Sequence, residues 1–459
     1  MKFKVNIRNY LIRLLFLLII FSNKIIYSNP EKDIQIVTGL QSAKIEIVVE
    51  TIRSIKESNA NHFIPSISKL LKKENLDREI IIEIINLYES YGDDLVLHYP
   101  NAFEDYEWLL LNLKDEKLIF ELINVLYQKK DKRFIYSILS LITNRSSSIR
   151  EISYKYLKIF KDDRILPYIL ELGNSDNPLY RYYYLESLEF INDERANLHV
   201  AKLINDESAA IRYEAIKLMD QLQIKEKENN ILLLAKNDPN YEVRKVSIVY
   251  AKNRKLKNRI NIFIDGLEDS NLEVREASLD SIHSFKEPSF AKYVSNFLEV
   301  EKNPILKLKA IDALISMKND GGGNGLAAIL LHDKNSDVRM MSALAIGNIS
   351  TQKKLTNTLN ESLNFENDIN VKTEIIKSIS KKKEKSSIPS LINKIKDPRE
   401  TVQIKIVSLK ALEEINDPNV LPELFDLIET QKDISQELRS FVRNMLIKFH
   451  GKASTYKNS

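Results

Sequence analysis

The sequence predicts an all-α protein, an α-solenoid of about twelve antiparallel helix pairs. Three observations predict it. First, one pattern recurs: an acidic residue closes an apolar segment, a basic residue follows six positions later, and a small residue comes three positions after that. The basic position is filled by Arg150, Arg181, Arg212, Arg244, Arg275, Lys307, Arg339, Lys372, Lys405 and Arg439, at spacings of 31 to 34 residues. A period in that range marks a stack of helical repeats, each too small to bury its apolar face alone. Second, the composition suits helices: 44% hydrophobic and 29% charged, with only 10 Gly and 12 Pro among 459 residues. Third, the apolar residues between the basic positions fall on one helical face, as Val274, Ser278, Leu279 and Ile282 do in VREASLDSI.

The chain opens with a different signal. Lys2, Lys4, Arg8 and Arg13 precede an apolar run from Leu14 to Phe21, and a polar stretch follows with a cleavage point after Ser28. That order is the order of an export signal, and the run is far short of the roughly 20 apolar residues a membrane span requires. Residues 1–28 are expected to be a signal peptide that delivers a soluble protein to a periplasm. The alternative is an uncleaved segment that anchors the chain to the inner membrane. Heavy use of Lys, Ile and Asn suggests an AT-rich bacterial genome. With no Cys there are no disulfides or thiolate metal sites, and the compartment is left open by that count.

Residues 29–130 keep the helix-pair rhythm and lose the charges, so they are expected to be degenerate repeats. Residues 131–450 carry the pattern, and 451–459 are expected to be a disordered tail. Within a repeat, the first helix reads as LPYILELG or IPSLINKIKD. Pro65, Pro167, Pro389 and Pro422 sit near its start, where the missing N–H leaves no hydrogen bond unmade. The second helix begins at the basic residue. Ser153, Ala215, Ser247, Ser278, Ala310, Ser342 and Ser408 let it approach its neighbours, while Tyr184, Ile375 and Val442 break the rule and are expected to loosen packing or alter curvature.

A cation at a helix start opposes the helix dipole by about 0.3–1 kcal/mol, so ten of them need compensation. The acids six residues upstream supply it: Asp206, Asp238, Asp269, Glu301, Asp333, Glu366 and Asp433, with Asn144 and Ser175 as neutral substitutes and Asp397 displaced by two before Lys405. The expected arrangement is a ladder of alternating charge that sets each repeat in register on the next.

The pattern of Asp, turn, Val-Arg and a small residue resembles the HEAT-repeat superfamily, and in particular the short bacterial repeats of the phycobilisome-lyase type, an armadillo-like helical architecture. The resemblance covers residues 144–450. It implies a right-handed superhelix whose second helices line the concave face, and a role as a binding platform. The matching residues are scaffold residues, so they name no partner.

Chemistry is sparse. The six histidines, His62, His98, His199, His283, His332 and His450, are scattered, and none has metal-ligand spacing. NDGGGNG (319–325) lacks the Lys and Ser/Thr of a phosphate loop and reads as a flexible hinge. The basic runs at 129–133, 251–259 and 381–385 are separated in sequence, and the net charge of +4 from 68 basic and 64 acidic residues does not point to nucleic acid. No cofactor, metal or catalytic residue is expected. YRYYYLESLEF (180–190) concentrates tyrosines, and Tyr213 takes the position of Tyr182 one repeat on. Tyr182, Tyr183 and Tyr213, with Met340 and Met341 further along beside Leu308, are the expected contacts for a protein or peptide partner. The function expected is therefore an exported, non-enzymatic scaffold or adaptor. The alternatives are a structural spacer associated with the cell envelope and a lyase-type enzyme acting on a small molecule.

Overall fold

The computed structural model describes residues 30–456 except 74, 92–98, 100–101, 161, 163–164, 192, 257, 350–351 and 431–434. The expected export signal at 1–28, together with His98 and Asp433, lies outside the described residues. What is described is all-α, an α-solenoid of thirteen helix pairs among these residues. No helix among the described residues is long and apolar enough to cross a membrane.

The chain divides into two units, 1–193 and 194–459. In the first, α1 (Pro30–Leu40) pairs with α2 (Ile45–Glu57), α3 (Ile64–Leu71) with α4 (Arg78–Tyr91), and α5 (Ala102–Asn112) with α6 (Glu116–Lys129). There α7 (Ile135–Leu139) pairs with α8 (Ser147–Phe160), and α9 (Ile165–Gly173) with α10 (Pro178–Ile191). In the second unit the pairs are α11 (Asn197–Leu203) and α12 (Ala209–Gln221), α13 (Glu228–Asn237) and α14 (Tyr241–Asn253), α15 (Arg259–Leu267) and α16 (Leu272–Phe285), and α17 (Ala291–Val300) and α18 (Pro304–Met317). Then come α19 (Gly323–His332) and α20 (Ser336–Ile349), α21 (Lys353–Phe365) and α22 (Ile369–Lys382), α23 (Ile388–Lys396) and α24 (Val402–Ile415), and α25 (Leu421–Thr430) and α26 (Gln436–Tyr456). Within the second unit each second helix, α12 to α26, packs on the next second helix.

The division falls sixty-odd residues beyond the expected boundary at 130, because α8 packs on α6 although only α8 carries the charge pattern. Loss of charge in α1–α6 is not loss of packing. In place of the ladder the upstream repeats have a buried tie. Asp105, fully buried on α5, accepts 2.7 Å hydrogen bonds from Ser68 Oγ of α3 and Tyr88 OH of α4, with Lys72 Nζ 3.4 Å away. Burial, with Asp105 alongside, pushes the Tyr88 phenol far above its usual range. At the other end of the chain α26 continues to Tyr456, six residues into the expected tail, since no proline follows Gly451 to stop it.

Five second helices of the second unit start on an Asn or Asp cap. Asn240, Asn271, Asn303, Asn335 and Asp368 accept backbone N–H groups two or three residues on, for example Glu242 N at 2.8 Å and Val243 N at 3.2 Å for Asn240. Five second helices, α6, α16, α18, α22 and α24, lead into the next repeat through a left-handed residue followed by a single 3-10 turn. Lys130, Lys286, Lys318, Lys383 and Asn416 have φ of 51–59° there, and buried Phe134, Phe290 and Val420 follow in three of these turns. Glycine is the usual occupant of such a position. Lysine accepts the backbone strain and sets its charge at the negative end of the helix dipole.

The small residues three after the ladder cation behave as close-approach points. Ser153, Ala215, Ser247, Ser278, Ala310, Ser342 and Ser408 are fully buried. Ser342 Oγ donates 2.6 Å to Leu326 O on the paired first helix, and the Ser247 and Ser408 hydroxyls bond back within their own helices. Tyr184, Ile375 and Val442, expected to loosen the packing, are themselves fully buried. At Ile375 the helix is not displaced from its neighbour, since Gly347 of α20 comes so near α22 that a Cβ would lie 2.8 Å from Ser378 Cβ.

The glycine run is not a hinge. Gly322, Gly323 and Gly325 are buried at the start of α19, and Gly325 N donates 2.8 Å to Ser295 Oγ of α17. A Cβ on Gly325 would overlap the Ser295 carbonyl oxygen and stand 2.9 Å from its Cα. These glycines are there for space, because α19 lies directly against α17. Gly325→Ala is therefore expected to lower stability by about 1–3 kcal/mol, the usual cost of overpacking. A mobile hinge would instead be stabilised by the loss of unfolded-state freedom, so the sign of the change in urea unfolding separates the two.

Candidate functional site: the charge ladder and the second-helix face

The ladder cations lie on the first turn of each second helix and their head groups turn back. Arg212 Nη1 donates to Asp206 O at 2.9 Å and Glu207 O at 3.0 Å; Arg244, Arg275 and Arg339 reach Asp238 O, Asp269 O and Asp333 O at 2.8, 2.9 and 2.9 Å. These carbonyls belong to the C-terminal end of the first helix, where backbone acceptors lack partners and the dipole is negative. The expectation of a cation opposed to a dipole is corrected by this geometry. The charge begins on one helix and resides at the end of another, where it is favourable.

The other edge of each guanidinium faces the following repeat. Arg212 Nε and Nη2 both donate 2.7 Å bonds to Asp238, and Arg244 meets Asp269 at 2.6 and 2.8 Å. Arg275 meets Glu301 at 2.7 Å, Lys307 meets Asp333 at 2.5 Å, and Arg339 meets Glu366 at 2.8 and 2.9 Å. Each acid also accepts a backbone N–H of its own turn, as Asp238 does from Asn240 N at 2.9 Å. One rung thus joins a helix end, a turn and the next repeat. The Arg212–Asp238 side chains are 11% and 1% exposed, so this rung is shielded from solvent.

Two rungs depart from the spacing. Where the repeat offers Ser175 instead of an acid, Arg150 takes Glu186 of α10 at 2.8 Å, and its guanidinium lies 4.4 Å from the centre of the Tyr183 ring. Arg181 makes the backbone contacts of the series, 2.8 Å to Ser175 O and 3.0 Å to Asp176 O. Further on, Lys372 pairs with Glu400 at 2.8 Å and not with Asp397, which is occupied by Arg399 of its own turn; Lys394 joins Glu400 at 3.2 Å.

Of the residues expected to touch a partner, Tyr183 is covered. It is 5% exposed and lies beneath Arg150 as part of the ladder, because α10 turns that face toward α8. Tyr182 lies in the first unit and Tyr213 in the second, each half-buried. Met340 and Met341 are half-buried on α20 and pack against the core, with Leu344 one turn on. Leu308 and Ile315 of α18 have the same status, as do Ile406 and Val407 of α24. The second helices therefore present a half-exposed apolar surface over neighbouring repeats.

Sequence reading missed a cleft of about 480 Å³ on the first-helix side, lined by Leu267, Tyr293, Phe297 and Val300, with Arg275 and Glu301 in its wall. It opens because α15 and α17 barely touch. Phe263, Phe285 and Phe290 stack between these repeats, with ring centres 5.9 and 6.3 Å apart. Val300 carries no unique mark, since Phe365 stands equally before Glu366 where other repeats place Glu268, His332 or Lys396. The basic runs at 251–259 and 381–385 are partly engaged in ion pairs. Arg254 lies over Tyr250 and reaches Glu228 at 3.4 Å, Arg259 bonds Glu287 at 2.6 Å, and Lys385 meets Asp417 at 3.2 Å.

The architecture is that of an α-solenoid of paired helices. No family model and no curated protein matches the chain. Among solved structures, it is similar to Kap95p in complex with RanGDP, at 12% identity and a TM-score of 0.44 over 92% of this chain and 66% of that one. It is similar to importin beta at 10% and 0.46, over 90% and 65%. A third similarity is to the CpcE–CpcF phycocyanin lyase of Nostoc sp. PCC7120, at 16% and 0.27, over 55% and 94%. The chain spans about two thirds of the length of the first two structures.

Two predictions follow from the rungs. Arg244→Ala strands Asp269 and is expected to cost about 3 kcal/mol, whereas Lys252→Ala, which breaks no rung, should change stability by less than about 0.5 kcal/mol. Equal losses in urea unfolding would count against the ladder. The second concerns acid. Burial alone would raise the carboxyls of Asp269, Glu301, Glu366 and Glu400, but hydrogen bonds from Arg244, Arg275, Arg339 and Lys372 outweigh it and hold all four below the ordinary carboxylate value. A depressed acid stabilises the fold above its unfolded value, near about pH 4, and that stabilisation is lost as pH falls through the folded value. The melting temperature should fall below about pH 4, and Glu366→Gln, already weaker at neutral pH, should show a shallower acid limb.

Proposed function

We propose that this chain is an exported, non-enzymatic scaffold that holds a protein or peptide partner on the second-helix face of residues 194–459. One observation carries the reading. Leu308, Ile315, Met340, Met341 and Leu344 are apolar, only half-buried, and adjacent across α18 and α20. A helix surface facing water alone would favour charge at such positions. Methionine in particular suits contacts that must adapt to another chain. The ladder supports this use indirectly, since it ties the repeats together away from the outward positions of the second helices and leaves those positions to recognition. Tyr213 extends the same surface toward the start of the second unit. The order of charged and apolar residues at 1–28, expected to be an export signal, supports a partner encountered outside the cytoplasm.

The test is site-specific cross-linking in living cells. A photoreactive residue at Met340 is expected to yield a discrete adduct of fixed stoichiometry. The same group at Leu198, exposed on the first helix α11, should give none. Met340→Asp should remove capture of the partner while leaving the far-ultraviolet circular dichroism unchanged. Equal labelling from both positions, or capture unaffected by Met340→Asp, would exclude this face.

A further inference from the structure

On five second helices, α16, α18, α20, α22 and α24, the position five residues after the ladder cation is exposed or half-buried. Over five consecutive helices of the second unit it reads Asp280, Asp312, Leu344, Lys377 and Lys410. Four of these are exposed and Leu344 is half-buried. Because the ladder locks the helices in register, the five side chains form one row across α16, α18, α20, α22 and α24. The row is polar in the electrical sense: negative at one end, apolar at the centre, positive at the other.

The neighbouring charges do not cancel this order. At the acidic end Glu273 and Glu276 add two carboxylates. Against them stand Lys245, 2.8 Å from Glu273, and Lys309, 2.7 Å from Glu276 and 2.9 Å from Asp280. His283 lies 3.6 Å from Asp312. Four carboxylates, Asp280, Asp312, Glu273 and Glu276, stand against two ammonium groups at this end. At the basic end Lys381 adds a further cation and bonds Asn348 at 3.0 Å. Glu374, mostly covered, reaches Lys377 at 3.4 Å, and Lys448 and Lys383 engage Glu413 and Glu414. Met340 and Met341 widen the apolar centre.

We propose that this row recognises a segment of partner chain carrying basic residues, then a large apolar side chain, then acidic residues. The proposal rests on the second-helix face being the docking surface and adds the chemistry of what docks there. Its spacing comes from the repeat: packed helices stand about 9–10 Å apart, and a partner in the polyproline II form advances about 3.1 Å per residue with every third side chain on one face. One partner side chain in about three therefore meets each helix, and the full row spans about thirteen residues. Opposed charges along the row steer the segment and fix its register, and the apolar centre supplies the buried contact.

The probe is a fluorescein-labelled peptide of thirteen residues, with lysines first and fourth, leucine seventh and glutamates tenth and thirteenth in a Ser/Gly background. The control has the same composition with the second lysine and the first glutamate exchanged, so that charge is interleaved. A simple reversal would not serve, because a reversed chain can dock in the opposite direction. In fluorescence anisotropy at low salt the ordered peptide is expected to bind at least about tenfold more tightly than the control, and the preference should shrink as salt screens it. Asp280→Asn with Asp312→Asn, or Lys377→Gln with Lys410→Gln, should remove most of the preference. Equal affinity for both peptides, abolished by Leu344→Asp, would overturn the charge order and leave the docking face standing. Binding of neither peptide would overturn the charge order as well, and the face itself would then be judged by cross-linking at Met340.

Discussion

The structure depends on one guanidinium contact repeated along the chain. Arg212, Arg244, Arg275 and Arg339 each neutralise the exposed carbonyl end of one helix with one edge, and pair with the carboxylate of the following repeat with the other. Neither half would hold the repeats alone. Apolar burial is insensitive to a small slide between neighbouring hairpins, because one Ile or Leu substitutes for another in a row of them. A two-pronged bond to a fixed carboxylate is not, since a shift of a residue breaks both prongs and leaves a charge without water. Burial supplies cohesion and the ladder supplies register.

That division of labour explains which features could be read from sequence. The ladder was legible because it needs specific residue types at fixed intervals, and Arg244 and Asp269 stand where the period puts them. Its exceptions were not, since they are settled by reach in space. Glu400 replaces Asp397 because Arg399 holds the nearer acid within its own turn. Tyr183 carries no mark in YRYYY that distinguishes it from Tyr182, and only the packing of α10 on α8 sends one ring under Arg150. The glycine run was misread for a related reason. A glycine needed for conformational freedom and one needed for lack of volume are identical as letters, and what separates them is Ser295 on a helix some thirty residues away. The left-handed lysines at the inter-repeat turns escaped notice because glycine is the residue expected there. Their recurrence before a buried aromatic, as in Lys130 and Phe134 or Lys286 and Phe290, was nonetheless present to be counted.

The upstream repeats make the same point by contrast. Without the ladder, α3, α4 and α5 are joined through Asp105, a buried carboxylate reached by Ser68 and Tyr88. This tie is made once and is specific to its place, so it leaves no periodic trace. A sequence can therefore lose its repeat signature while the helices remain packed, and the end of a pattern is not the end of an array.

Register is also what gives the outward surface its meaning. Charged residues on the exposed side of a helix carry little information when neighbouring helices are free to slide, because their relative positions are then undefined. Once Arg275, Lys307, Arg339 and Lys372 are pinned to their acids, the positions five residues beyond three of them, Asp280, Asp312 and Leu344, and that beyond Lys372, Lys377, hold constant offsets. A gradient from negative to positive across those helices becomes a fixed object that a partner can be shaped against. A scaffold built this way can alter what it recognises by changing outward residues one repeat at a time, because the rungs that align them lie elsewhere.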